Sequence, residues 1–243
     1  MEIGFEAVEA NLRAALAVFA RAHPEGETRA YPGVAAACSG FDYSMFNTAV
    51  LTAPVERESD LEIRIKIAAS YYASRKLPWS LWVCRDWLAK PVRGRLEDVC
   101  YRNFLHLVVE MPALAAVRLA PPVRALPELR FRPVADARTR AGFTHLMMAV
   151  YAIPSQTCRG IYESEKTWAR NFAGYVGYLD SEPVTSAAVV SEAGVAGVYA
   201  VATLAAHRRK GYGEAAVRHA LEQTRIAAGV EATVLESSES GYR

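Results

Sequence analysis

Few cysteines, no long apolar run and no extended block of one charge set the first limits on this chain of 243 residues. Its four cysteines, Cys38, Cys84, Cys100 and Cys158, include no close pair. That spacing argues against a disulfide framework or a zinc site, so reduced, mostly buried thiols are expected. His23, His106, His145, His207 and His219 are dispersed and show no metal-ligand spacing, so no metal is expected. No apolar stretch approaches the ~18–20 residues a membrane helix needs. The opening residues lack the charged-then-apolar order of a secretory signal. The formal net charge is only +2 and the longest basic cluster is Arg208-Arg209-Lys210, which leaves nucleic acid unsupported as a partner. Short-period repeats and low-complexity tracts are missing too. What is present is 52% apolar and 22% charged residues, the composition of a soluble globular protein. A cytoplasmic location and no membrane partner are expected.

Leu119–Pro127 carries three prolines in nine residues and reads as an extended connector. It separates a first half, 1–118, from a second, 128–243. The first half opens with a helix over Phe5–Ala22, whose Val8, Leu12, Ala15, Leu16 and Phe19 fall at helical spacing. Strands are expected at Val34–Cys38, Phe46–Leu51, Trp79–Cys84 and Phe104–Glu110, with a partly helical Asp86–Tyr101. Ser59-Asp-Leu-Glu62 reads as a capping box for a helix to Arg75. The alternation of Leu61, Ile63, Ile65 and Ile67 competes with that reading, but no turn signal interrupts the run. Trp79, Trp82 and Trp87 either wall a pocket between the halves or form core.

The second half reads as a strand from Phe131, a helix over Asp136–Val150 and a mixed stretch over Gly160–Phe172. Strands Gly174–Leu179, Val184–Val190 and Gly197–Thr203 follow, then a helix over Tyr212–Ala228 stopped at Gly229, and a last strand Ala232–Glu236. The expected class is α/β, with helices around a mixed (α+β) sheet. Between the third of these strands and the helix lies Arg208-Arg-Lys-Gly-Tyr-Gly213. Glycines there let main-chain amides approach an anion, the helix N-terminus favours negative charge, and three cations add to the field. The loop has neither the Gly-Lys-Ser/Thr of a Walker motif nor the third glycine of a dinucleotide fingerprint. A surface turn, or a site for a nucleotide or phosphometabolite, are the other readings.

Arg208-x-x-Gly211-x-Gly213 after the strand Val198-Tyr-Ala-Val-Ala-Thr203 resembles the pyrophosphate loop of the GNAT superfamily of N-acetyltransferases. The resemblance covers about 128–243 and implies the acyl-CoA N-acyltransferase fold. It also implies acetyl-CoA as cosubstrate and an amine acceptor, either a small molecule or a peptide. Carried over, Val201, Ala202 and Thr203 would offer main chain to the acyl-CoA. Arg208, Arg209, Lys210, Gly211, Tyr212 and Gly213 would hold its pyrophosphate. Glu236 and Glu192 are candidate bases, or else solvated strand-end carboxylates. Tyr199 is a candidate donor to the thiolate, or else a core aromatic. The family usually continues into a helix with a tyrosine and two further strands. Tyr242 falls before that place, so its role is not transferred. A non-catalytic CoA-binding protein is therefore a second reading.

The first half resembles a worn copy of the same module. Its Thr52–Asp60 loop has no glycine and three acidic residues, which would repel a pyrophosphate. Two tandem modules are expected. The last strand is expected to be covered by the first half or by a second subunit, with a homodimer as one form of the latter.

Overall fold

The computed structural model describes residues 3–169 and 171–237. Contacts divide the chain into two compact units, Phe19–Met111 and Met1–Val18 with Pro112–Arg243. The first eighteen residues therefore join the C-terminal portion, whereas the sequence put its boundary at the prolines alone. The reason lies in the first helix, α1 (Phe5–Ala20). Its sequence has a polar residue, Asn11, on the stripe of Val8, Leu12 and Ala15, and that residue finds its partners far along the chain.

The smaller unit has a four-stranded sheet, in the order β1 (Glu27–Tyr31), β2 (Val34–Cys38), β3 (Asn47–Leu51), β4 (Ser80–Trp82). The first three strands run antiparallel, and β4 lies parallel to β3. The crossover between β3 and β4 is α2 (Glu58–Arg75). The expected Ser59 cap is not what starts this helix: its N-cap is Arg57, which makes no side-chain cap bond. Glu58 and Asp60 in the first turn favour the helix dipole instead, and Arg57 forks onto Asp60 at 2.9 Å. Two short helices, α3 (Lys90–Arg93) and α4 (Leu96–Arg102), complete the unit. Trp79 stacks on Tyr72 at 5.5 Å, and Trp79 and Trp87 pack against the cluster of Leu61, Ile65 and Val99. These two tryptophans are half-buried and pack against the core of this unit. The strand expected at Phe104–Glu110 does not form; most of that stretch is exposed and no ladder includes it. A short apolar run makes a strand only where another strand pairs with it.

The larger unit has a six-stranded sheet in the order β5-β10-β9-β8-β7-β6. Its elements are β5 (Ala113–Ala116), β6 (Arg130–Pro133), α5 (Ala137–Tyr151), α6 (Ser155–Tyr162), β7 (Phe172–Leu179), β8 (Glu182–Glu192), β9 (Val195–Thr203), α7 (Tyr212–Ala228) and β10 (Thr233–Glu236). Asp136 starts α5 with a capping box: its carboxylate accepts from the Thr139 amide at 2.7 Å, and Thr139 Oγ1 accepts from the Asp136 amide at 3.1 Å. Gly229 ends α7 in the left-handed region at φ 68°. β7, β8 and β9 run antiparallel, α7 crosses over, and β10 lies parallel to β9. This is the same order of pairings as β1, β2, β3, α2 and β4. The outer edge of β10 is covered by β5, antiparallel, with Glu236 opposite Ala113. The open edge is thus closed from within the chain, by residues of the expected first half.

α7 packs on one sheet face, against Ala187, Val189, Ala196 and Val198. α1 packs on residues of alternating register: Ile3, Ala7 and Val8 meet Val195, Ala232 and Val234. Asn11, fully buried, fastens it. Its amide donates to the carbonyls of Val190 (3.0 Å), Glu192 (3.3 Å) and Val195 (3.1 Å). Its Oδ1 accepts from the Tyr199 hydroxyl at 2.8 Å. Gly197 makes room, since a Cβ there would lie 1.8 Å from Asn11 Oδ1. Asn11→Ala therefore leaves buried carbonyls and a buried phenol unpaired. We expect it to destabilise the unit by about 3 kcal/mol in denaturant melts. A loss under about 1 kcal/mol would contradict this role.

Candidate functional site

The site begins where β9 loses a neighbour. β10 pairs with it only at Thr233–Ala196 and Val234–Gly197. Beyond Gly197 the two strands part. The β8–β9 register shifts between Ser186–Ala202 and Ala188–Tyr199, so Ala200 and Val201 together face Ala187. Ala200 takes φ 51°, and this bulge re-aims the rest of the strand. The Leu204 amide donates to Val184 O at 3.0 Å and Thr185 Oγ1 to Ala202 O at 2.8 Å. Ala202 and Leu204 thus turn their main chain to β8. By alternation Val201 and Thr203 turn theirs to the gap. The carbonyl of Val201 accepts from Tyr151 Oη at 2.5 Å, and that of Thr203 from Arg208 Nε at 3.2 Å.

The loop follows directly. A short 3-10 turn, Ala205–His207, leads into it. Arg209 (φ 64°) and Gly211 (φ 84°) both take left-handed conformations, and Gly211 is the N-cap of α7. The amide of Arg208 is used, donating to Ala205 O at 3.3 Å. The amides of Arg209, Lys210, Gly211, Tyr212, Gly213 and Glu214 donate to no group among the described residues. Helix geometry leaves the first amides of α7 without partners inside the helix. Here the preceding turn adds three more at the positive end of the dipole. Arg209 and Lys210 stand exposed at the loop. A Cβ on Gly213 would lie 3.3 Å from Thr203 Oγ1, so the loop closes against the end of β9. The His207 ring lies 6.0 Å from that of Tyr212, beside the cations. Such an arrangement is suited to a diphosphate continuing along the parted strand.

Opposite α7, the other face of the parting strands carries a polar cluster. Glu236 shares its face with Val234, which meets α1. Its Oε1 is buried with no hydrogen-bond partner among the described residues. Burial, with the charge of Glu9 on α1 adding to it, pushes the Glu236 carboxyl up to about 7. Glu9 is itself buried and ion-paired to Arg13 at 3.7 Å. Tyr199 belongs to the same cluster. Its proton is committed to Asn11, and burial pushes its phenol well above the ordinary range. As placed, Tyr199 holds its neighbours and has no proton free for a thiolate.

The structure brings the end of β9, at Thr203, against the 208–213 loop, and separately brings Tyr199 near Glu236 on the face that meets α1; Ala202, expected to offer main chain, turns it to β8 instead. Glu192 joins neither group. That residue is the last of β8, exposed at the hairpin into β9, where its carboxylate accepts from Asn171 at 3.2 Å. Tyr242 falls outside the described residues. Three participants escaped the sequence reading: Asn11, Glu9 and Tyr151. Only Asn11 left a signal, a polar side chain on an apolar helical stripe. No cluster of three or more His, Cys, Asp or Glu able to hold a metal occurs among the described residues. No helix among them is long and apolar enough to cross a membrane.

The matching loop of the smaller unit is built differently. The amides of Thr52 and Val55 donate to Gly33 O (3.0 Å) and Trp87 O (2.8 Å). Arg64 turns its guanidinium onto the carbonyls of Ala53 and Pro54. Donors left without a partner in the larger unit are consumed internally here, and Glu56 and Glu58 place negative charge beside the loop.

Comparison with known proteins agrees with this geometry. Residues 135–241 match the family model described as the acetyltransferase (GNAT) family. The structure is similar to a GCN5-related N-acetyltransferase from Kribbella flavida, with a TM-score of 0.70 and 18% identity, covering 100% of this chain and 90% of that one. It is also similar to a functionally unknown conserved protein from Staphylococcus epidermidis ATCC 12228, with a TM-score of 0.56 and 10% identity, covering 89% and 85%. At such identities the likeness concerns the fold. No curated protein matches the chain.

Proposed function

We infer, from a chain whose residues 135–241 match the GNAT acetyltransferase family model and which has the acyl-CoA N-acyltransferase fold, that this protein moves an acetyl group from acetyl-CoA to an amine. The observation that carries the reading is the run of unpartnered amides from Arg209 to Glu214 beside the parted end of β9. Such a run stabilises a diphosphate without the Cβ atoms that would hold it off. Arg208, Arg209 and Lys210 add charge, and the main chain of Val201 and Thr203 guides the pantetheine arm. The thioester then lies near the bulge, where a β9 amide polarises its carbonyl. The acceptor nitrogen attacks that carbonyl and the carbon–sulfur bond breaks. The amine proton goes to Glu236, directly or through water, and the thiolate leaves. A carboxyl poised near 7 suits a base working at neutral pH. The smaller unit is a second copy of the module that has lost its anion site. Its loop amides and Arg64 are spent on internal carbonyls.

Titration of the full chain with acetyl-CoA, coenzyme A and ATP tests the binding half. Both CoA species bind and ATP does not; preference for ATP removes the acyl-carrier reading. Release of free thiol in the presence of a panel of amines tests the chemical half. Binding without release under any amine leaves a CoA-binding protein in place of an enzyme.

A further inference from the structure

Two main-chain oxygens face the gap beside β9, and both already hold a donor from the chain itself. The one on Val201 is the more revealing. Its partner, Tyr151 Oη at 2.5 Å, comes from the last residue of α5, fifty positions upstream. Ala152 turns left-handed at φ 52° and takes the chain away at that point. Tyr151 keeps 41% of its surface exposed, so its ring hangs at an opening and is not locked into the core. Arg208 acts on the phenol's charge, which sets the ring beside the first cation of the loop. Tyr151 therefore stands on the line from the anion site to the bulge.

An amide nitrogen reaching Val201 O needs about 2.7–3.2 Å, approaching from the gap. A hydroxyl at 2.5 Å already holds that approach. Although a carbonyl oxygen has two lone pairs, two donors arriving from the same side compete for it. We propose that Tyr151 is a displaceable placeholder: its phenol satisfies the Val201 carbonyl until the amide of a pantetheine arm replaces it, and it sets the affinity for that arm independently of the nucleotide. The proposal rests on the acyl-CoA reading above. Without a placeholder the carbonyl would wait unpaired in the empty cleft, an unfavourable state for a partly buried acceptor. With one, the arm must break a hydrogen bond to enter, so its net gain is reduced.

The test is calorimetric titration of the full chain with two probes. Coenzyme A carries the arm; phospho-ADP carries the diphosphate and no arm. Tyr151→Phe keeps the ring and removes the hydroxyl. It is expected to bind coenzyme A about three- to tenfold more tightly, the equivalent of one ordinary hydrogen bond, with phospho-ADP unchanged. Tyr151→Leu, matched to the wild type by thermal melt, must show the same selective gain. Unchanged or weaker binding of coenzyme A by both variants overturns the proposal, as does an equal gain for both probes. If the wild-type chain binds neither probe, the acyl-CoA reading falls and the proposal with it. If it binds both and no selective gain follows, the proposal alone falls.

Discussion

Gly211→Trp abolishes coenzyme A binding, with at least a hundredfold loss of affinity, or about 2.7 kcal/mol. The residue stands at φ 84° as the N-cap of α7, amid the unpartnered amides. A side chain there interferes twice. It fills the volume from which a phosphate reaches the main chain, and it presses on the connector, since a Cβ would lie 3.1 Å from Pro127 Cδ. Any residue other than glycine also pays a conformational penalty at such a φ, about 1–2 kcal/mol. That penalty has to be separated from the loss of the site. Gly194 offers the control: it has φ 74° and nothing within 4 Å of its Cβ position, and it lies in the β8–β9 hairpin. Gly194→Trp suffers the same backbone cost without touching the loop. Isothermal titration on both variants decides the matter. Equal affinities would mean the amides from Arg209 to Glu214 do not hold the ligand.

Glu236→Gln lowers the acetyl-transfer rate by about a hundred- to ten-thousandfold, the usual contribution of a positioned base. It also changes the pH profile. In the wild type the rate climbs as Glu236 deprotonates through about pH 7; in the variant that limb disappears. The same substitution has an opposite effect on stability. The folded carboxyl titrates near 7 against an ordinary 4.5, so the folded chain binds this proton more tightly than the unfolded one. Stability is then lost as pH rises from 4.5 towards 7 and is not regained above. Glutamine cannot ionise beside Glu9. The variant is expected to be more stable at pH 8 by on the order of 2 kcal/mol and nearly unchanged at pH 5. A thermal melt at both pH values, read beside the rate, tests one cause with two independent signals. A variant that is slower yet no more stable at pH 8 would place the charge of Glu236 elsewhere than in this buried cluster.

How much of this was legible in the residues depends on whether the signal was local. The loop and α7 were: strand, cations, two glycines and a helix with Gly229 at its end are all contiguous, and the helix runs over Tyr212–Ala228 as read. The parting of β9 and β10 is less legible, because it depends on a bulge at Ala200 that no residue type announces. The distant partners were hidden altogether. Tyr151 reaches across fifty positions and Asn11 across 188 to Tyr199, and no pattern within a window reports such a meeting. Phe104–Glu110 failed for a related reason: its short apolar run is a strand signal, but no strand of either sheet pairs with it. Glu192 and Glu236 looked alike as strand-end carboxylates. Only their placement, one in an exposed hairpin and one with a buried oxygen on the face that α1 meets, tells them apart.

The seating of α1 also bears on the order in which the chain assembles. Asn11 leaves the ribosome long before its partners, since the carbonyls it holds belong to Val190, Glu192 and Val195. Its sequence separations of 179 to 184 are among the slow, entropically costly closures of folding. During synthesis the whole of Phe19–Met111 has time to fold before those partners exist. α1 is made well before the strands it docks on, and a nascent chain halted before β9 leaves its apolar stripe waiting for a surface not yet translated.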